Sequence, residues 1–379
     1  MKYVALKDVC KINMGQSPDS SSYNENGEGI PFFQGNADFG ERYPVTRVWC
    51  NAPTKIAQSE DILISVRAPI GALNYAKEKC CIGRGLAAIT PDKSKVSLEF
   101  VYWFLKGKNA ELKSKGTGST FKAISKKILE EILIPDVGFD KQHEYAQMLE
   151  KIYVIIQTRK QELQKLDELI QSRFVEMFGD PVANDKEWTT LPLEEACKTI
   201  VDCPHSTPSY TTENTGFMCI RTSIVKKNKI LWDDIEYIPE DEFIKRIQRK
   251  KPEIGDVVYT REGAILGIAA IIDRECNVAL GQRSMLLSPD ANKCLSEFLC
   301  VAMNCDSFLD NALKGIAGSA SPHINVGDIK SFKMIMPPIE LQNQFADFVQ
   351  QVDKSKSKIQ KSLEETQLLF DSLMQKYFG

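Results

Sequence analysis

The fold is decided by a junction that the chain spells twice: Ile132-Leu133-Ile134-Pro135 before Gln142, and Met334-Ile335-Met336-Pro337 before Gln342. Each copy is typical of an apolar strand that ends in Pro and leads into a long helix. The offset between the copies is a constant 200 residues from Gln142 to Gly179. A repeat of this length is a whole domain plus a helix, far longer than a solenoid unit.

The similarity continues upstream of the junctions, but only in part. Segments 13–60 and 201–254 barely agree. Shared strands with divergent loops are typical of duplicated binding modules that now recognise different targets, although drift of an unimportant surface would leave the same divergence. The stretches that do agree are Asp61–Ser65 and Arg67 with Asp256–Thr260 and Arg261, allowing a one-residue slip, and Gly83-Arg84 with Gly281-Gln282-Arg283.

After each junction, apolar residues recur at alternating steps of four and three. A period of 3.5 residues held over this length indicates a coiled coil. Two such helices in one chain most simply pair with each other antiparallel, as rods of roughly 55 Å. A parallel zipper between two copies of the chain is the alternative. The seam positions are Tyr145, Leu149, Ile152, Ile156, Leu163, Leu166, Ile170 and Met177, then Phe345, Val349, Val352, Ile359, Leu363, Phe370, Leu373 and Tyr377.

Composition fits two soluble globular domains. The chain has 379 residues, of which 43% are hydrophobic and 26% charged. We find no membrane-span pattern and no signal peptide, and therefore expect a cytoplasmic protein without membrane contact. The 11 Cys and three His show no metal-ligand spacing. We expect reduced, buried thiols and no metal site.

Lysine and arginine cluster locally although the net charge is only −3. Seven Lys and one acid occupy residues 106–127, and five basic residues without an acid occupy 244–251. These are candidate phosphate-binding stretches, although a solvated run of charge is the commoner explanation of either.

Catalytic motifs are missing from the sequence. We find no methyltransferase motif for a flipped base, no nucleotide-binding loop with a Gly-Lys-Ser/Thr ending and no nucleophile beside a His. The sequence predicts a binding protein with no catalytic residues and no cofactor.

The combination of features resembles the DNA-specificity subunit of type I restriction-modification systems, over essentially the whole chain. The resemblance rests on the duplicated plan, the two junctions, the ending Arg173–Pro181, and a Gly-Ser element before each terminal strand, at Gly118-Ser119 and Gly318-Ser319. No single element is specific, but the combination is.

This resemblance implies a non-catalytic subunit that reads a split, asymmetric site in double-stranded DNA. Two methyltransferase subunits and the restriction or translocase subunits would be its partners, and the paired helices would separate the readers by about one helical turn of DNA, near 34 Å. The implied fold is α+β, with two duplicated mixed α/β target-recognition domains joined by two long helices in an antiparallel coiled coil. We place the recognition domains at 1–138 and 181–338, and the helices at 139–180 and 339–379.

Candidate DNA-binding residues follow from the chemistry of base edges, since Arg favours guanine and Asn or Gln favours adenine. For Arg67 and Arg261, a structural ion pair is as good an interpretation as DNA contact. Lys122 and Lys126 suit phosphates better than bases. The candidates are Gln34, Asn36, Arg67, Arg84, Lys122 and Lys126 in the first half, and Arg221, Thr222, Arg261, Gln282, Arg283, His323 and Asn325 in the second, where His323 and Asn325 correspond to Ala123 and Ser125.

Two other functions remain open on the sequence. A self-contained restriction enzyme or methyltransferase fragment would need a set of catalytic residues, which we do not find in the sequence. A coiled-coil adaptor that binds only proteins would need no DNA-reading loops, and a salt-dependent DNA affinity would separate it from a reader.

Overall fold

The computed structural model describes residues 2–117, 122–314 and 322–379. The chain divides into two compact units. Unit 1 comprises Met1–Lys160 and Lys361–Gly379, and unit 2 comprises Gln161–Gln360. Each unit therefore contains one part of each long helix.

Unit 1 combines short strands with helices of very different length. In chain order its elements are β1 (Tyr3–Ala5), α1 (Leu6–Val9), β2 (Cys10–Met14), β3 (Tyr23–Asn24), β4 (Ile30–Phe33), β5 (Trp49–Cys50), β6 (Ile56–Ala57), β7 (Ile62–Ser65), β8 (Leu73–Tyr75), β9 (Cys80–Ile82), β10 (Leu86–Pro91), α2 (Leu98–Gly107), α3 (Asn109–Ser114), α4 (Lys126–Glu130), β11 (Leu133–Pro135) and α5 (Phe139–Phe178), which continues into unit 2.

The strands of unit 1 form three sheets. The order β2-β10-β7-β8 is antiparallel throughout, and β1 pairs with β11. A five-stranded sheet has the order β3-β5-β4-β9-β6, in which β4 and β9 run parallel. Both faces of β7 are buried, since Ile62 and Ile64 join one apolar cluster and Leu63 joins another. This explains its uninterrupted apolar sequence.

Unit 2 repeats this plan. Its elements are the remainder of α5, β12 (Thr190–Pro192), α6 (Leu193–Ala196), β13 (Cys197–Asp202), β14 (Met218–Ile220), β15 (Val225–Lys226), β16 (Lys229–Ile230), β17 (Glu236–Tyr237), α7 (Glu240–Arg246), β18 (Val257–Thr260), β19 (Ala269–Ile271), β20 (Val278–Leu280), β21 (Ser284–Pro289), α8 (Ser296–Asn304), α9 (Asp306–Ala312), α10 (Val326–Lys330), β22 (Lys333–Ile335) and α11 (Ile339–Phe378), which ends in unit 1.

The sheet topology confirms the duplication. The order β13-β21-β18-β19 matches β2-β10-β7-β8, and β12-β22 matches β1-β11. The second sheet of unit 2, β17-β14-β20, also contains one parallel pair, β14 with β20. The predicted mixed α/β architecture of both domains is therefore present.

The long helices contact each other within each unit. In unit 1, Tyr145 stacks on Tyr377 with ring centroids 3.9 Å apart. In unit 2, Lys356 forms an ion pair with Asp167 at 2.7 Å, and Phe345 packs against Phe174. Lower-numbered residues of α5 thus meet higher-numbered residues of α11, as antiparallel pairing predicts. That these stretches form one continuous coiled coil stays a prediction.

Candidate nucleic-acid interface

In unit 1, four chain segments meet where β4, β7 and β9 end. The Gly85 amide donates to the Gln34 carbonyl at 3.2 Å, and the Val66 amide donates to the Gly85 carbonyl at 2.9 Å. The Ile124 amide continues the series to the Val66 carbonyl at 2.9 Å. A Cβ on Gly85 would lie 2.4 Å from the Gln34 oxygen, so this close approach requires glycine. We call these segments, 34–36, 66–67, 83–85 and 122–124, the first rim.

The first rim brings together five of the six candidates from the first half. Gln34, Arg67, Arg84 and Lys122 are exposed. Among the residues that the structure describes, the side chains of these four form no hydrogen bond or ion pair, and therefore remain available to a ligand. The fifth, Asn36, is half-buried and begins a short 3-10 turn.

Asp38 organises the start of this loop. Its Oδ2 accepts hydrogen bonds from the amides of Gln34 at 2.7 Å and Gly35 at 3.3 Å. Because these bonds fix the backbone, the Gln34 and Asn36 side chains are presented from a defined position.

Unit 2 builds the same frame with different residues. The Gly281 amide donates to Ile220 at 2.8 Å, the Arg261 amide to Arg283 at 3.0 Å, and the Ile324 amide to Arg261 at 2.8 Å. We call segments 221–223, 261–262, 281–283 and 322–324 the second rim.

The matching hydrogen bonds correct one pairing inferred from the sequence. Val66 and Arg261 occupy equivalent positions in the two rims. The amide of each donates to segment 83–85 or 281–283, and the carbonyl of each accepts from Ile124 or Ile324. Arg67 bridges Ala123, and Glu262 bridges His323, so Arg67 corresponds to Glu262. The pairing of Arg67 with Arg261 through a one-residue slip is therefore wrong. The pairing of His323 with Ala123 is confirmed.

Neighbouring side chains contact two of the candidate residues of the second rim. The Arg221 guanidinium lies 5.2 Å from the Tyr210 ring centroid and forms an ion pair with Glu236 at 2.9 Å. The Gln282 Oε1 accepts a hydrogen bond from the Thr207 hydroxyl at 2.9 Å. The remaining candidates are Thr222, which is half-buried, and His323 and Arg283, which are exposed.

Arg283 adopts a backbone conformation that is uncommon for a large side chain. Its φ is +74°, in the left-handed region, where residues other than Gly, Asn and Asp are rare. Such conformations cluster at functional sites because the surrounding structure must hold them.

Arg261 differs from the other candidates because its side chain is only 5% exposed. It forms ion pairs with Asp202 at 3.0 Å and with Glu262 at 2.8 Å. The His205 Nε2 lies 3.0 Å from the same Asp202 carboxylate. The guanidinium is thus engaged within the domain.

Lys126 and Asn325 lie beyond the rims, at the starts of two short helices. Lys126 is in the first turn of α4 and forms an ion pair with Glu130 at 3.3 Å. Asn325 precedes α10 and donates to Asp328 at 3.0 Å. The Gly-Ser elements at 118–119 and 318–319 lie outside the described residues.

Some residues beside the rims were missed by the sequence analysis. The Arg84 amide donates to Ser17 Oγ at 3.3 Å, which places the segment after β2 beside the first rim. Segment 203–211 occupies the corresponding region of unit 2. Both follow a strand that the repeat identifies, but their own sequences differ too much to be aligned.

Most of the cysteines lie in the interior of the two units. Ten of the 11 are buried and all are free thiols. Burial raises the pKa of the Cys10 thiol to about 12, which disfavours the reactive thiolate. Among the described residues, no group of three or more His, Cys, Asp or Glu could hold a metal ion. No helix within the described residues is long and apolar enough to cross a membrane.

Comparison with known proteins identifies a family for both halves. The model of the type I restriction modification DNA specificity domain matches residues 1–168 and 185–366. The MjaX specificity subunit of Methanocaldococcus jannaschii, provisionally named as part of a type I restriction enzyme, is 47% identical over 41% of this chain. That match spans 37% of the relative's length.

Two further proteins match the chain over nearly its whole length. The type I restriction enzyme MjaIX specificity subunit of M. jannaschii is 23% identical over 98% of this chain and 91% of its own. The crystal structure of a type I restriction-modification system S subunit from M. genitalium aligns with a TM-score of 0.59 at 15% identity. It covers 100% of this chain and 96% of the other, and shows a shared fold.

Proposed function

Because the chain belongs to the family of type I restriction modification DNA specificity domains, we propose that it is a non-catalytic subunit that reads a split, asymmetric DNA site. The first rim would read one half-site and the second rim the other. Methylation and cleavage would be carried out by partner subunits that this chain directs to the site.

One observation carries this proposal: the two rims share a backbone frame but differ in their side chains. Gln34 follows the first parallel strand where Arg221 follows its equivalent, and Arg84 occupies the position of Gln282. A constant frame with varied side chains is what two readers of different sequences require. A protein-only adaptor has no need of it.

Side-chain chemistry suggests how the work is divided. Arg67, Arg84 and Arg283 can each donate two hydrogen bonds to guanine, and Gln34 and Asn36 can pair with adenine. Lys122 suits a phosphate on the first half-site, and Lys126 could reach the backbone farther along. We assign Arg261 to positioning the loop, because its guanidinium is paired with Asp202 and Glu262.

We also propose the wider organisation. Residues 1–138 and 181–338 would be the recognition domains, with helices 139–180 and 339–379 as the dock for two methyltransferase subunits. Restriction or translocase subunits would join this complex in the cytoplasm, where the DNA is. Methyl donor and ATP would bind to those partners.

The proposal is tested by co-expressing the chain with a methyltransferase subunit of a type I system from its own genome. Methylated adenines are then mapped across the host DNA by single-molecule sequencing. We expect methylation at one asymmetric two-part motif that disappears when this chain is omitted.

Two variants sharpen the assignment. Arg84→Ala should relax one base of the first half-site and leave the second unchanged, whereas Lys127→Ala, an exposed Lys on α4 that pairs with Glu131, should change neither. A stable, active complex without any two-part motif would favour the adaptor instead.

A further inference from the structure

Segment 203–211 of unit 2, which we call the strap, crosses the second rim and touches its readers. Thr207 donates to Gln282 at 2.9 Å, and the Tyr210 ring lies 5.2 Å from the Arg221 guanidinium. His205 contacts the Asp202 carboxylate that holds Arg261. A single short segment thus reaches three of the candidate positions.

A buried arginine fastens the strap to the domain. The Arg246 side chain is 2% exposed, and its Nη2 donates to the Ser206 carbonyl at 2.7 Å. Its charge is balanced by Glu242 at 3.0 Å, whose other oxygen accepts from the Ser209 amide at 3.0 Å. Because a buried, paired arginine is costly to displace, these bonds hold the strap in one conformation.

The Thr207 hydroxyl orients the side-chain amide of Gln282 through a direct hydrogen bond. Bidentate recognition of adenine requires the amide oxygen to accept from N6 while the nitrogen donates to N7. In this structure the oxygen accepts from Thr207 with one of its two lone pairs, so its second lone pair and both Nε2 donors remain for a base. The bond therefore fixes the orientation in which Gln282 presents these groups.

We propose that the strap is a specificity-determining element of the second rim, and that Thr207 is the positioning residue that holds the Gln282 amide in its reading orientation. This inference rests on the proposed function. Thr207 itself need not contact the DNA; it acts by fixing the orientation of a residue that does.

The test compares Thr207→Val, which keeps the shape and removes the hydroxyl, with Thr207→Ser, which keeps the hydroxyl. Each variant is co-expressed with the methyltransferase subunit, and methylated motifs are mapped as for the wild type. At one position of the second half-site, the wild type should select one base through Gln282. Thr207→Val should reduce the discrimination between bases there by roughly tenfold, while Thr207→Ser should behave as the wild type.

The first half-site of the same motif is the internal control and should not change in any variant. An unaltered motif and unaltered rates for Thr207→Val would overturn the assignment of Thr207. Loosening of both half-sites together, or a lowered melting temperature, would also overturn it, since either indicates a general structural role. Absence of any two-part motif for the wild type would instead remove the proposed function itself.

Discussion

The side-chain oxygen of Gln142 accepts a hydrogen bond from the Ser97 amide at 2.7 Å. Its Nε2 donates to the Val137 and Lys95 carbonyls, at 2.8 and 3.3 Å. Gln342 repeats the arrangement in unit 2, where it accepts from Leu295 at 2.9 Å and donates to two carbonyls. Each buried Gln thus ties the start of a long helix to the segment before a core helix.

Replacing Gln142 with Leu should therefore destabilise unit 1. The change leaves one buried and two partly buried backbone groups without their partner, which we expect to cost about 2–4 kcal/mol. Urea denaturation followed by circular dichroism measures it. Gln147→Leu, on the exposed side of the same helix, is the matched control and should stay within about 0.5 kcal/mol of the wild type. Equal effects of the two changes would show that the hydrogen bonds at Gln142 contribute little.

The repeated glutamines Gln142 and Gln342 explain why so much of the fold is predictable from the sequence. Gln142 and Gln342 recur because the backbone groups that they satisfy recur, and the seam residues recur because the helices bury them. Tyr153 and Phe174, which lie off the seam, pack against Trp103 and against Phe298 and Phe345. Periodicity and repetition record constraints that both copies share.

The rims could be predicted only in part, because a repeat carries no information about what differs between its copies. Candidate residues lie close together where glycines and strand ends mark the frame, and their contact with DNA stays a prediction. The pairing of Arg67 with Arg261 was wrong because it matched two arginines at the cost of a one-residue shift in the alignment. The backbone hydrogen bonds of the structure fix the alignment without that shift. No pattern in the sequence predicts the position of the strap, because its contacts with Gln282 and Arg246 join residues that are far apart in the chain.

Lys122 should contribute to affinity but not to sequence choice. It is exposed on the first rim, beside Arg67. If it contacts a phosphate, Lys122→Ala should weaken DNA binding by the complex equally for all sequences. The plot of log association constant against log salt concentration should also become less steep, by about one unit of slope. Fluorescence anisotropy over a salt series measures this. Lys127→Ala, paired with Glu131, should leave the slope unchanged. A changed motif for Lys122→Ala would assign it to base reading instead.

Lys106 should make the stability of unit 1 depend on pH. Its Nζ lies 4.0 Å from the Tyr153 ring centroid and 5.2 Å from that of Trp103, beside the Arg42 guanidinium, which pairs with Glu150. Burial and the Arg42 charge lower the pKa of Lys106 to about 8. Below about pH 8 both the folded and the unfolded chain are protonated there, and the full cost of burying the charge is present.

Between pH 8 and the ordinary pKa of 10.5, the unfolded chain retains a proton that the folded chain has lost. The stability of the wild type should therefore rise with pH relative to that of Lys106→Met, by about 1–2 kcal/mol after allowance for the partial exposure of the side chain. Urea midpoints of both proteins at pH 7, 8 and 9.5 measure the difference. Lys113→Met, at an exposed position on α3, should follow the wild type. A constant gap between Lys106→Met and the wild type would contradict the assignment.

Two equivalent positions hold an ion pair in unit 2 and apolar side chains in unit 1. Where unit 2 places the Asp202–Arg261 ion pair, the equivalent positions of unit 1 hold Met14 and Val66, which join its apolar core. Arg261→Val alone should cost about 3–5 kcal/mol, because it removes the guanidinium that pairs with the largely buried Asp202 carboxylate. Asp202→Met combined with Arg261→Val copies the apolar solution and should recover that loss.

Urea denaturation of the single and double variants tests this exchange. Buried ion pairs replaced by apolar residues of similar volume are often neutral or stabilising, so the double variant should match or exceed the wild type in stability. The methylated motif is the second measurement: the first half-site should stay as it is, while the second should lose selectivity because Glu262 and His205 lose the charge that orders them. A double variant as unstable as the single one would mean that the ion pair supports the second rim through contacts that apolar packing cannot replace.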